Sequence, residues 1–194
     1  MTPTPQQDTA PLRTGEIHAK DDLTRGWNTV DLLTAPGKPN SRYMIGFAAS
    51  DRCVELVQRL RFEVFNLELK EGLPGSYAEG LDRNDFDPQM THLVQIERAT
   101  GRAIGTYRLQ TMRHGLAHKG IYSAQEYHFD QIEPLFDETV ECGRACLAKG
   151  HRNLTTLLLL WSGISAFLRL HSQCWLFGCC SLTTRWTPMT AGGP

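Results

Sequence analysis

The stretch TVECGRACL, residues 139–147, holds a carboxylate and a guanidinium, Glu141 and Arg144, with Gly143 between them. The run reads as a strand, and in a regular strand side chains alternate, so these two would face opposite ways. An isolated glycine inside a strand often marks a bulge. One extra residue flips the parity and brings Glu141 and Arg144 to a common face. A bulge also splays the adjacent strand and frees backbone N–H and C=O groups. The pattern therefore predicts a cleft between two halves of a sheet, lined by this pair. The plainer alternative is a surface ion pair on an unbroken strand.

Other residues carry charge where charge is costly. Arg61 lies four residues after Val57 and four before Phe65, on the apolar face of a helix. A half-buried guanidinium there needs a carboxylate or several carbonyls, unless its head snorkels to water. Arg108 in AIGTYRLQT shares a strand face with Ile104 and Thr106, or stands at a solvated sheet edge. Asp85 and Asp87 in NDFDPQMTH read first as a polar turn before a proline. The loop AKGHRN precedes a helix, whose free N–H groups could bind a phosphate with help from Lys149, His151 and Arg152. It lacks the glycines that wrap a pyrophosphate, so a single phosphate suits it better; a merely solvated loop is the alternative.

These residues need elements to hold them. SRYMIGFAAS is a first strand and SDRCVELVQRLRFEVFNLEL a helix capped by Ser50 or Asp51. The apolar positions Val54, Val57, Leu60, Val64 and Phe65 recur at helical spacing. KEGLPGSYAEGLDRNDFDPQM is a loop. THLVQIE and AIGTYRLQT are strands joined by a tight turn at RATGR. HGLAHKGIYSAQEYHFDQIEPLFDE is irregular, with room for a short helix. TVECGRACL, a helix over 154–170 capped by Asn153, and the apolar strand CWLFGCCSL complete an α/β or α+β layered domain. Its span is 41–182, after a Pro- and Gln-rich leader, residues 1–40, expected to be poorly ordered, and before a tail, residues 183–194.

Composition narrows the function. The 194 residues suit one domain, 41% hydrophobic content supports a core, and a net charge of −1 argues against a nucleic-acid binder. The six cysteines show neither C-x-x-C pairs nor zinc-ligand spacing. No metal site is expected, and four cysteines in apolar runs point to reduced thiols and a cytoplasmic protein. The start shows no secretory signal. The apolar stretch 154–170 is interrupted and short for a membrane span; a core helix is the better reading, and peripheral membrane contact stays open.

Taken together, RLRFEVFNLELKEG, NDFDPQMTHLV, IGTYRLQ, GIYSAQEYHFD, ECGRACL, LLLLWSG and LFGCCSL, in this order, resemble the acyl-carrier-protein-dependent N-acyltransferases of the GNAT superfamily. Among these are the long-chain N-acyl amino acid synthases and the ornithine-lipid type acyltransferases; the acyl-homoserine lactone synthases are more distant. The resemblance implies a GNAT-like, mostly antiparallel sheet with a V-shaped split and flanking helices. By position it matches the family's helix arginine to Arg61, the following aromatic to Phe65, the acidic loop to Asp85 and Asp87, the hairpin arginine to Arg108 and the bulged-strand pair to Glu141 and Arg144. Two departures stand out. Leu69 replaces the tryptophan of the lactone synthases, and the chain ends in TTRWTPMTAGGP where the family continues.

The implied reaction is transfer of a fatty acyl group from an acyl-carrier-protein thioester to an amino acid's amine, giving an amide. No tightly bound cofactor is expected; the donor is the carrier's acyl-phosphopantetheine. Glu141 would take the amine proton, directly or through a water. Backbone N–H groups at Gly143 and Arg144 would meet the oxyanion. Cys142 and Cys146 are expected to pack rather than attack. Trp161 and Phe177, from the last helix and strand, would line an acyl slot, and Lys119, Lys149, His151 and Arg152 would dock the acidic carrier. The alternatives are a lactone synthase using S-adenosylmethionine and a non-catalytic acyl-chain-binding module.

Overall fold

The structure, a computed structural model, describes residues 42–129 and 131–179. The expected leader, the tail and Cys180 lie outside the described residues. Five strands form one sheet in chain order: β1 (Tyr43–Phe47), β2 (Thr91–Glu97), β3 (Ala103–Thr111), β4 (Thr139–Leu147) and β5 (Trp175–Phe177). The first four run antiparallel, and β5 joins β4 in parallel. The helices are α1 (Asp51–Arg61), α2 (Met112–Ala117) and α3 (Leu154–Leu170). This is the expected mixed, mostly antiparallel sheet between helices.

The two faces of the sheet differ in kind. On one face Ile45, Phe47, Leu93, Leu109 and Val140 meet Leu160, Ile164 and Phe167 of α3 in the main core. The approach is close: a Cβ on Gly163 would sit 2.6 Å from Leu93 Cδ1, so a larger residue there would push Leu93 and Ile45 aside. The other face packs at one end against Val57 and Leu60 of α1 and Val64 just after it. Further along the strands it turns polar, with His92, Thr106, Arg108, Gln110 and Glu141 all buried.

Capping fixes both main helices as the sequence suggests. Ser50 Oγ accepts from Cys53 N at the start of α1. Asn153 Oδ1 accepts from Thr156 N, and Thr156 Oγ1 accepts from Asn153 N, which starts α3. One boundary differs. The helix expected to run on to Leu69 changes winding after Arg61, and Phe62–Glu68 is π-helical, with Leu69 N donating to Val64 O at 2.9 Å. The wider turn carries Phe65 under Arg144 and lets the Asn66 side chain donate to Leu73 O. These partners offset the loss of regular α winding. The irregular segment after β3 resolves into α2 and two 3-10 turns, Tyr122–Gln125 and Glu133–Glu138.

Candidate active site

Three arginines from three elements converge on the polar face. Arg61 ends α1 and is fully buried; Arg108 lies in the middle of β3 and is 1% exposed. Arg144, on β4, keeps 17% of its side chain exposed. The loop before β2 supplies two carboxylates. The Asp82 backbone carbonyl accepts from Arg61 Nε and Nη2, and the Asp82 carboxylate lies 3.1 Å from Arg61 Nε as an ion pair. One carboxylate oxygen accepts from Arg144 Nε at 3.0 Å and the other from Arg144 Nη2. Asp87 accepts from Arg61 Nη2 at 2.8 Å, Arg108 Nη1 at 3.0 Å and Gln58 Nε2 at 3.4 Å. Asn84 adds an acceptor for Arg108 at 2.8 Å. Phe65 lies 4.5 Å from the Arg144 guanidinium, and Tyr122 lies 5.0 Å from that of Arg108. Arg61 therefore does not snorkel; it pins the 70–90 loop over the sheet.

The bulge is present, one residue later than the glycine suggests. Thr106 pairs with Cys146 and Arg108 with Gly143, so Arg144 and Ala145 together oppose Tyr107. The left-handed residue is Arg144, with φ 48°, not Gly143. A non-glycine residue there costs on the order of 1–2 kcal/mol; the bidentate pair with Asp82 and the stack on Phe65 offset it. The extra residue brings Glu141 and Arg144 to the α1 side of the sheet, as expected. The expected split would open past this point. Strand β5 ends at Phe177, opposite Glu141, and beyond that point no described strand lies against the outer edge of β4.

Glu141 does not touch Arg144. Its Oε1 accepts from Ser123 N and Ser123 Oγ, each at 2.6 Å. Its Oε2 accepts from Gln110 Nε2 at 2.6 Å and Tyr122 N at 3.1 Å. All four lone-pair positions of a carboxylate are thus occupied. Glu141 holds the segment 121–123 against β4, and the nearest exchangeable proton on it is the Ser123 hydroxyl.

Electrostatics follow from burial and the excess of arginine. Burial and the Arg61 charge push His92 down to about 4, leaving its ring neutral. The same two causes lower Arg144 to about 10. Burial opposes ionisation of Asp87, but Arg61 and Arg108 outweigh it and hold the carboxyl below the usual range. Burial pushes the thiols of Cys142 and Cys146 up to about 11 and about 12, so neither is a thiolate near neutral pH. Among the described residues no group of three or more His, Cys, Asp or Glu side chains is placed to hold a metal ion.

The structure gathers Arg61, Phe65, Asp87, Arg108, Glu141, Gly143 and Arg144 on one face, and it corrects several expectations. Asp85 stays outside the cluster, with 84% of its side chain exposed, and pairs with Lys119 at 2.8 Å. The place expected for it belongs to Asp82, whose backbone N–H donates to Gln58 O and so turns the side chain inward. Three aspartates in one polar loop gave no pattern to separate them. Lys119 borders a groove with Asp85, Gln89, His114 and His118, away from the groove bordered by Lys149 and His151. Arg152 is bidentate to Glu68, at 2.7 and 2.6 Å, and His151 shares a hydrogen bond with the Tyr43 hydroxyl. Trp161 is 46% exposed on α3, away from the cluster. Phe177 is well placed: Leu176 packs in the α3 core, so Phe177 turns to the site face, its ring 5.0 Å from that of Phe129. Ser123 and Gln110 were missed; nothing in their local sequence marks them as partners of Glu141.

Sequence comparison fits this mostly antiparallel sheet with its bulged fourth strand: residues 60–162, more than half of the chain, match the Acetyltransferase (GNAT) domain. The chain belongs to that family. It is 34% identical over 149 residues to an L-ornithine N(alpha)-acyltransferase of Brucella abortus, covering 71% of this chain and 52% of that protein. A protein of the same name from Agrobacterium fabrum is 31% identical over 145 residues, covering 69% and 48%. The chain thus spans about half the length of the curated relatives it matches. Among solved structures, the AHL synthase LasI superposes with a TM-score of 0.50 at 14% identity, covering 71% of this chain and 72% of that one, a likeness of fold. No helix among the described residues is long and apolar enough to cross a membrane.

Proposed function

We propose that the chain is an N-acyltransferase that moves a long-chain acyl group from an acyl-carrier-protein thioester to the α-amine of an amino acid, with ornithine the first acceptor to try. The observation that carries this is the buried arginine–aspartate wall beside the bulge of β4. The names of the relatives support the acceptor.

The donor follows from the β4–α3 loop. The first turn of α3 is capped by Asn153 and Thr156, and Arg152 is held by Glu68. Little is left to cradle a pyrophosphate, which favours a phosphopantetheine arm over coenzyme A. Lys149 and His151, at the rim of a groove of about 440 Å³, meet the acidic carrier. In the split, the amine attacks the thioester carbonyl, backbone N–H groups at the bulge receive the oxyanion, and the thiolate leaves on the carrier. The amine proton passes to Ser123 Oγ as that hydroxyl gives its own proton to Glu141. Phe177 and Phe129 border the acyl chain.

The test is the purified chain with matched acyl-carrier and acyl-coenzyme A donors and a panel of amino acids, products read by mass spectrometry. N-acyl amino acid formed faster from the carrier supports the reading. Equal kcat/KM on both donors removes the carrier preference, and absence of any amide product removes the function.

A further inference from the structure

The arginine cluster is short of carboxylate partners. Among the described residues three guanidiniums touch two carboxylates, Asp82 and Asp87. The third carboxylate on this face, Glu141, is satisfied by neutral donors and meets no arginine. Arg61 Nη1, Arg108 Nε and Arg108 Nη2 are buried without a hydrogen-bond partner. Unpaired buried donors are uncommon, and each calls for an explanation. Arg144 spends Nε and Nη2 on Asp82, and Nη1 makes no hydrogen bond among the described residues. The depressed values of His92, Arg108 and Arg144 each carry a contribution from the Arg61 charge.

There is also room for an anion. Gly143 is the strand partner of Arg108 and the chain neighbour of Arg144, and a Cβ built on it meets nothing within 4 Å. Among the described residues the face is open over Gly143.

We propose that the space over Gly143 receives the carboxylate of the amino-acid acceptor, bound by Arg144 with the positive charge of Arg108 behind it. This rests on the acyl-transfer reading and deepens it. A guanidinium with an unused N–H edge suits a carboxylate. A carboxylate anchored there sets the α-amine, one carbon away, beside the split. The side-chain amine of ornithine, three methylenes further out, falls beyond it. Selection of the α-amine is then a consequence of holding the neighbouring carboxylate.

The experiment compares ornithine, ornithinamide and 1,4-diaminobutane as acceptors for the unaltered full chain, then repeats the series with Arg144→Gln. Loss of the carboxylate should lower kcat/KM roughly 30- to 1,000-fold, mainly through KM, and the amide should give mixed α- and side-chain products. Arg144→Gln should lower activity on ornithine more than on ornithinamide, so that the ratio of the two kcat/KM values falls towards one. The comparison on the unaltered chain stands even if the variant folds poorly. Equal use of ornithine and ornithinamide, with α-selectivity kept, overturns the carboxylate site and leaves the acyltransferase intact. Absence of acylation of every acceptor overturns the functional reading, and this inference with it.

Discussion

Asp82→Asn is the sharpest probe of the cluster. Asp82 is fully buried and is, among the described residues, the one carboxylate that touches both Arg61 and Arg144. The substitution preserves shape but leaves three guanidiniums facing one carboxylate, Asp87. Breaking one side of a buried pair costs on the order of 3–5 kcal/mol, a large part of the roughly 5–15 kcal/mol that holds a domain folded. With a urea slope near 2 kcal/mol per M, the midpoint should fall by about 1.5–2.5 M. Equilibrium unfolding by fluorescence reads this directly. Asp85→Asn is the matched control: Asp85 lies outside the cluster with most of its side chain in water, so its midpoint should stay at that of the parent chain. Adding Arg144→Gln to Asp82→Asn removes the stranded charge and should recover part of the loss, a coupling that a double-mutant cycle isolates. If Asp82→Asn and Asp85→Asn unfold at the same urea concentration, the cluster does not hold the loop and the reasoning fails.

Glu141→Gln should retain carrier binding and lose roughly 10²–10⁴-fold in rate; Ser123→Ala should follow it if the hydroxyl relays the proton, and an unchanged rate in both removes the relay. His92 has a folded pKa near 4 against about 6.5 when unfolded, so the unfolded chain gains a proton that the fold refuses. Stability should be complete above about pH 6.5 and fall as pH drops towards 4, by at most about 3 kcal/mol; His92→Gln should flatten that slope, and an identical slope in the variant would exclude His92. Cys142→Ala and Cys146→Ala should keep turnover, and iodoacetamide at pH 7 should leave both thiols unmodified in the folded chain, because burial keeps them protonated.

Much of the frame was legible because its signals are local. The caps at Ser50 and Asn153, the hairpin between β2 and β3, and the misplaced charge of Arg61 on an apolar helix face all stand in short windows of sequence. The bulge was legible as a need for parity, but its position was not. Glycine is the residue that adopts positive φ most easily, and only the tertiary partners Asp82 and Phe65 explain why Arg144 does so instead. The separation of Asp82 from Asp85 likewise depends on a backbone contact with Gln58, a partner remote in the chain. Leu157, Leu158, Leu159 and Leu160 follow one another round α3, so periodicity could not say that Leu160 and Ile164 face the sheet while Trp161 faces away.

The π-helical segment after α1 bears on how the chain tolerates changes in length. Removing one residue between Phe62 and Glu68 would return the stretch to ordinary α winding, where each residue advances the helix by about 100°. The strands and the α3 core would be undisturbed by such a deletion. Phe65 would rotate away from Arg144, and Asn66 would leave its contact with Leu73. A shortened helix of unchanged composition would therefore keep its fold and lose its aromatic wall. At this point of the chain the number of residues matters as much as their kind.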